Sequence, residues 1–513
     1  MNKKVILWMV IGSCVVMMGK WCYGEPFLIR ETRPMAMGGA FAAVAEDAIT
    51  SHWNPAGLAK QRKRFDVEIP FYVDITGTGD IAKKLDEISK VGYESIRNMA
   101  ENRNYREGPI DVKYTENFFR LLDCLDNLNK EGVAIIINTG MGLNLRIKDW
   151  GLSTVYYGMI SGDPTIDLTN ITLGKVATPD SVTEAAQDAI YSIVGEGIDY
   201  TPGFGNWTNE YENFAQELMK IIIQNTNTPI FKTQDQAERI IKIALDAGLD
   251  FEDVKKYTTL VSNVVSKMGD KLIGTTTTTS INNNKSTLIV KGCFINEFMV
   301  THGREFSFLR KNLYLGANLK YMRAVMAWFD PQIFKKDVKK EIKDVKSKYT
   351  KESSSFGIDL GMLYDITPKL SIGLVTKNIN SPSFDYPNAA NLPKYKIKPQ
   401  IRAGVCYKPW KGMTLAGDLD LTRNKTILDG FDSKILSTGF EWQLFNFLIL
   451  RAGLLKNLIE DSVGTVYTSG LGINLLGLHA EASGMMSDKK TQTEKGKKIP
   501  AQLSGSIQIS LNF

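Results

Sequence analysis

Cysteine and histidine are scarce in this chain: five cysteines and three histidines among 513 residues. Beyond the first 24 residues only Cys124, Cys293 and Cys406 remain, far apart, odd in number and without a CxxC spacing. That pattern gives no zinc or redox site and predicts incidental small residues. The histidines, His52, His302 and His479, accompany no HExxH, GxSxG or P-loop motif, so no metal and no cofactor is expected. His52 and His479 are expected to be hydrogen-bonded structural residues. One decoy is Gly77-Thr78-Gly79-Asp80-Ile81-Ala82, a dinucleotide-like run after a strand. Its strand alternates, whereas a buried parallel strand would be continuously apolar, and the chain is not read as an enzyme. Long apolar runs are also missing. No segment after residue 24 approaches 18 uninterrupted apolar residues, which excludes a helical membrane protein. Charge of one sign is lacking too: 62 Lys and Arg against 56 Asp and Glu give a formal net charge of +6, spread without clusters. Nucleic acid is therefore not an expected partner.

What is present begins with an export signal. Lys3 and Lys4 precede an apolar stretch, Val5 to Met18, and Cys22-Tyr23-Gly24 places small residues before Glu25. Residues 1–24 are assigned to this signal; Ile11-Gly12-Ser13-Cys14 is a weaker, lipoprotein-like alternative.

From residue 354 onward the chain breaks into segments of strict period-two alternation. Phe356, Ile358, Leu360, Met362 and Tyr364 share one face, and Ser355, Gly357, Asp359 and Gly361 the other. Further segments lie at 369–377, 400–408, 413–422, 434–442, 447–454, 463–475, 478–486 and 502–513. The last sets Leu503, Ile507, Ile509, Leu511 and Phe513 against Gln502, Ser504, Ser506, Gln508, Ser510 and Asn512. Earlier strands are read at 65–75, 133–146, 150–160, 286–299 and 312–328, which makes about fourteen. A soluble sandwich would alternate as well, so connection lengths decide. Tight links at Thr367-Pro368, Pro409–Gly412, 444–446 and Asn474–Gly477 alternate with longer polar links at 381–396, 424–433, 457–462 and 487–500. Outer-membrane barrels show this asymmetry, with short periplasmic turns and longer outer loops. The expected fold is an all-β, about 14-stranded antiparallel outer-membrane barrel over 65–513, with both barrel ends on the periplasmic side. Helical periodicity marks outer-loop inserts at 80–130, 175–284 and 331–350, the last rich in Lys.

The same alternation predicts which polar residues face the lumen: Asp66, Glu68, Asp74, Arg146, Asp359, Arg402, Asp418, Asp420, Arg451, His479 and Glu481. Their mixed signs point to interior ion pairs and not to an ion-selective channel. Ile509, Leu511 and Phe513 form the expected C-terminal signal for barrel-insertion machinery.

Between the signal and the first strand stands Arg33-Pro34-Met35-Ala36-Met37-Gly38-Gly39-Ala40-Phe41, then an acidic-Ala pair, Asp47-Ala48, then Trp53-Asn54-Pro55-Ala56-Gly57-Leu58. This resembles the N-terminal plug of the long-chain fatty-acid transporter (FadL-like) outer-membrane superfamily, nearest its PorV-like and TraF-like branch. Arg402-Ala403-Gly404-Val405 and Arg451-Ala452-Gly453-Leu454 are similar to that branch as well. The resemblance implies a fourteen-strand barrel with residues 25–64 as a lumenal hatch. Gly38, Gly39, Phe41, Asp47, Trp53, Asn54, Pro55, Ala56 and Gly57 are then the hatch or gate candidates. It implies passage of hydrophobic small molecules gated by the hatch. The alternative is a non-transporting barrel that anchors or shuttles secreted or surface proteins through its outer loops. Expected partners are outer-membrane lipid, the insertion machinery, a hydrophobic ligand or detergent in the lumen, and a secreted protein. A continuous apolar tunnel from the mouth to the hatch, or a strand kink opening the wall, would favour passage, whereas a lumen packed shut by residues 25–64 and by charged pairs would sink it.

Overall fold

The computed structural model describes residues 23–24, 27–44, 46–60, 65–81, 84, 128, 133–165, 167, 285–308, 311–330, 332, 348–428, 430–445, 447–475, 477–492 and 498–512. Most of the signal, the helical inserts expected within 80–130, 175–284 and 331–350 (isolated positions apart), and Phe513 lie outside these residues.

Fourteen antiparallel strands close into a barrel. They are β1 (Phe65–Gly77), β2 (Ile135–Ile147), β3 (Trp150–Thr165), β4 (Thr287–Phe308), β5 (Lys311–Phe329), β6 (Thr350–Thr367) and β7 (Leu370–Lys377). Then follow β8 (Gln400–Tyr407), β9 (Met413–Asp420), β10 (Ile435–Leu444), β11 (Leu448–Asn457), β12 (Thr465–Leu475), β13 (Leu478–Ser487) and β14 (Gln502–Asn512). The ring closes between β1 and β14, in register from Asp66 opposite Asn512 to Thr76 opposite Gln502. Closure pairs every edge, which a strand sheet in lipid requires. Short turns join β2–β3, β4–β5, β6–β7, β8–β9, β10–β11 and β12–β13, and every other connection is longer. β1 starts and β14 ends at the short-turn rim, and the three expected inserts leave from the opposite rim.

β4 runs past the expected end at residue 299, to Phe308. The polar stretch Thr301-His302-Gly303-Arg304-Glu305 looks like a loop in sequence. It stays in the sheet because Thr301 and Gly303 turn inward against the lumenal segment while His302 and Arg304 face out.

The two faces sort as alternation demands. On β14 Ile507 is 61% exposed and Ile509 58%, whereas Ser504, Ser506, Gln508 and Ser510 are buried. The outer row of β5 is apolar from Leu313 to Tyr321 and ends at Arg323, which pairs with Glu352 on β6. Eight residues at about 3.4 Å each, tilted by about 40°, span about 21 Å, close to the height of a barrel's lipid-facing band. Trp150, Trp410, Phe445 and Phe447 are exposed at the short-turn rim, and Phe445 stacks on Phe447 with centroids 5.8 Å apart. Such rings mark the membrane interface. No described helix is long and apolar enough to cross a membrane.

Candidate functional site: the lumenal segment and its wall

Residues 27–60 fill the lumen. Helix α1 (Thr32–Ala36) tolerates Pro34 because it lies in the first turn, where no helical N–H bond is lost. The chain then reverses through Gly38 (φ +65°) and Gly39 (φ +81°). These are left-handed conformations that favour glycine, and a Cβ on Gly38 would stand 2.6 Å from the Leu454 carbonyl on β11. A second short helix, α2 (Thr50–Trp53), ends at Asn54, which is extended as a residue before proline should be. Asn54 caps the 3-10 turn Pro55–Ala59, its Oδ1 accepting from the Ala56 N–H at 3.2 Å. Its Nδ2 donates to the Ala42 carbonyl (2.8 Å) and to the Met362 carbonyl on the wall (3.2 Å). Gly57 and Ala56 complete this buried turn.

An apolar core joins segment to wall: Phe27, Met37, Phe41, Ile49 and Trp53 pack with Tyr314, Leu363 and Val375. Trp53 is fully buried, lies 4.8 Å from the Phe27 ring, and donates from Nε1 to Glu31 at 2.7 Å.

Around this core the wall supplies the missing partners for buried backbone. Asp418 accepts from the N–H groups of Phe41 (2.9 Å) and Ala42 (2.8 Å), Asp66 from Ala48 (3.2 Å), and Glu68 from Ile49 (2.8 Å). Arg146 donates to the carbonyls of Glu46 and Leu58, both at 2.7 Å. Arg402 donates to the Gly39 carbonyl at 3.3 Å and to Asp420 at 2.6 Å. A buried peptide group without a partner costs about 1–3 kcal/mol, so these side chains make the irregular segment tolerable inside the barrel. A guanidinium–carboxylate chain runs beside them: Arg33 contacts Asp47 and Glu441, and Arg451 bridges Glu441 (2.7 Å) and Glu481 (2.9 Å). Burial opposes the Arg33 charge, yet Asp47 and Glu441 hold its pKa well above the ordinary value. Asp47, Asp66 and Glu68 bring carboxylate oxygens within 4.8 Å of one another, but they face Arg33 and segment N–H groups.

Not every predicted lumenal residue meets the segment. Asp359 binds Lys320 (3.0 Å) and Asn318 (3.0 Å) on the wall. Asp74 ties Asn138, Gln502 and Ser504 together near the opposite rim, and His479 Nε2 lies 3.1 Å from the Asn512 amide. Ile509 and Leu511 face outward on β14.

Sequence reasoning missed the wall glycines. Gly303, Gly316 and Gly361 are cross-strand neighbours, as are Gly373 and Gly404, and Gly439 and Gly453. A Cβ on Gly316 would fall inside the backbone of Pro55 and Ala56, and one on Gly439 would stand 2.5 Å from the Met37 carbonyl. Glycine doublets facing each other across strands were the available signal. It also missed Glu297 and Lys320, because the lumen faces of β4 and β5 mix Met and Ile with charge, and it missed Lys377 on β7 and Glu441 on β10, whose partners come from the segment and from other strands.

These features define an outer-membrane β-barrel with an N-terminal segment packed inside its lumen. The chain belongs to the family described as "F plasmid transfer operon, TraF, protein", which matches residues 52–420. Among solved structures it is similar to the Pseudomonas putida toluene transporter TodX (10% identity, 96% of this chain and 97% of that one, TM-score 0.38). It is similar to a Pseudomonas aeruginosa FadL homologue (11% identity, 96% and 99%, TM-score 0.39) and to the TodX deltaS2 monoaromatic hydrocarbon channel mutant (10% identity, 94% and 98%, TM-score 0.41). No curated protein matches the sequence.

Proposed function

We propose that this barrel passes hydrophobic small molecules only when the lumenal segment is displaced, and that the conformation described is its closed state. The observation that carries the reading is an apolar stretch on the lumen wall of β3–β5. There Met159, Ile295, Met299, Met322 and Met326 turn inward and are covered by Phe384, Ile397 and Ile427. A water-filled pore lines its lumen with polar groups. Flexible, polarisable methionines instead suit apolar ligands of varied shape. The packed segment and its charged pairs sink passage in the conformation described and leave only a gated reading, in which the contacts of Gly38, Gly39, Asn54 and Pro55 must break.

A second reading, a non-transporting barrel that anchors secreted or surface proteins, is favoured by the number of charged side chains pinning residues 27–60. Native mass spectrometry of the purified barrel separates the two. Co-purifying apolar small molecules, released on loosening the segment, support passage. A protein partner bound with no apolar ligand in any preparation overturns it.

A further inference from the structure

Three carboxylates converge near the short-turn rim, where β1 begins. Asp47 comes from the segment, and Asp66 and Glu68 are the first two inward positions of β1, both buried. Each offers an oxygen within 4.8 Å of the other two. The nearest guanidinium groups are shared with other acceptors. Arg33 divides its donors between Asp47 and Glu441. Arg146, directly across from Asp66 on β2, donates to the carbonyls of Lys148 (3.1 Å), Glu46 and Leu58 (both 2.7 Å). The strongest electrostatic neighbours of Glu68 are accordingly all acidic: Asp66, Asp47 and Glu481. Carboxylates buried together repel unless a cation or a proton stands between them.

A second observation points to the cation. Asn144 on β2 stands directly across from Glu68 in the β1–β2 ladder, and both side chains turn inward. Asn144 is fully buried, and neither its Oδ1 nor its Nδ2 has a hydrogen-bond partner. An unmet buried amide is costly. An ion beside Glu68 would take the Asn144 Oδ1 as a ligand. The Nδ2 would then turn to the hydroxyl of Ser153, directly across on β3 and likewise buried without a partner. The bonds from the Ala48 and Ile49 N–H groups to Asp66 and Glu68 do not compete, because a carboxylate has about four lone-pair sites.

The donor set is oxygen throughout, which selects a hard cation. Opposite ligands around calcium, each at about 2.3–2.6 Å, stand about 4.6–5.2 Å apart, whereas magnesium holds them to about 4.2 Å. A spread of up to 4.8 Å suits calcium. We propose that a calcium ion binds at this junction, held by Asp47, Asp66, Glu68 and the carbonyl of Asn144. Asp47 belongs to the segment and the other three to the wall, so the ion would latch residues 27–60 to β1 and β2. The latch is independent of whether the barrel passes small molecules.

The test strips the full-length barrel with EDTA in detergent micelles. Calcium, magnesium or sodium chloride is then added at constant ionic strength, and the thermal midpoint is followed. Calcium should raise the midpoint saturably, with half its effect at about 0.1–1 mM, magnesium should act more weakly and sodium not at all. Glu68→Gln keeps an acceptor for the Ile49 N–H but should abolish the calcium shift, and it should leave the stripped barrel no less stable than the unaltered one. Asp461→Asn, exposed at the long-connection rim, should keep the shift. Equal responses to calcium and either other salt, or a calcium shift retained in Glu68→Gln, overturn the proposal. Should Glu68→Gln fail to assemble, calcium counted per barrel by equilibrium dialysis decides. One ion in the unaltered protein, bound more weakly in Asn144→Leu, supports the site, and no ion or equal binding by both overturns it.

Discussion

Replacing Gly439 by alanine tests whether close backbone contact seats the lumenal segment. The added Cβ would stand 2.5 Å from the Met37 carbonyl oxygen and 2.8 Å from its Cβ. Ordinary contact begins at 3.4 Å, so segment and wall must separate by 3.4 − 2.5 = 0.9 Å. Hydrogen bonds on either side of Met37 are 2.8 Å from Thr468 to the Ala36 carbonyl and 2.9 and 2.8 Å from Phe41 and Ala42 to Asp418. Opening by the same amount takes a 2.8 Å bond to about 3.7 Å, beyond useful length. Losing the neutral bond costs about 1 kcal/mol and weakening one charged pair about 1.5–3 kcal/mol, so seating should weaken by about 2–4 kcal/mol. Gly484→Ala is the control, because its Cβ would meet only the Ser504 carbonyl, at 3.6 Å. The measurements are the thermal midpoint and the ionic conductance of single barrels in a planar bilayer. Gly439→Ala should lower the midpoint and produce openings that Gly484→Ala does not. Indistinguishable behaviour of the two variants refutes the view that wall glycines hold the segment shut.

Further outcomes follow from the charged contacts. Arg33→Gln and Glu441→Gln should each destabilise the barrel, and the double variant should cost less than their sum by about 2 kcal/mol, measured by a double-mutant cycle; additivity would deny the pair. Trp53→Phe leaves the buried Glu31 carboxylate without its donor and should cost about 1–3 kcal/mol in denaturant unfolding, an effect that vanishes in a Glu31→Gln background. Burial, with Arg30 and Lys377 beside the ring, holds the His52 pKa well below 6.5. The neutral ring is thus the seated form: its contribution is complete above pH 6.5 and is lost as pH falls toward the lowered value. That part of the midpoint's pH dependence should disappear in His52→Gln. Finally, Ile507→Arg, on the lipid face of β14, should cost about 2–4 kcal/mol in bilayer folding. An unchanged folding equilibrium would place that face elsewhere than in lipid.

The barrel was legible because closure in lipid imposes one rule on every strand. Ser506 inward and Ile507 outward on β14 need no tertiary information beyond period two. Strand ends were less legible, since a lumen filled by protein accepts Thr301 and Gly303 where a solvated one would not need them. The wall's polar residues, such as Asp66, Arg146 and Asp418, followed from alternation, but their partners did not. Those partners are backbone atoms of Ala48, Glu46, Phe41 and Ala42, and backbone carries no sequence label. The cation cluster at His52 escaped for a related reason: Arg30, Lys320 and Lys377 come together only when segment, β5 and β7 are in place.

The segment also touches both strands at which the barrel closes. Thr32 hydrogen-bonds Ser506 on β14 at 2.7 Å, while Asp66 and Glu68 on β1 receive Ala48 and Ile49. Near its other end Lys60, bound to Asp365 on β6, leads through four residues into β1. A chain so placed works as a mandrel. It brings the first and last strands to the same internal surface, and it favours the one register in which Asp66 meets Asn512. A slip of that seam by two residues would keep every side chain on its proper face, so alternation alone does not forbid it. The segment could then keep the bond from Thr32 to β14 or those from Ala48 and Ile49 to β1, but not both, so the filled lumen favours the native closing of the wall.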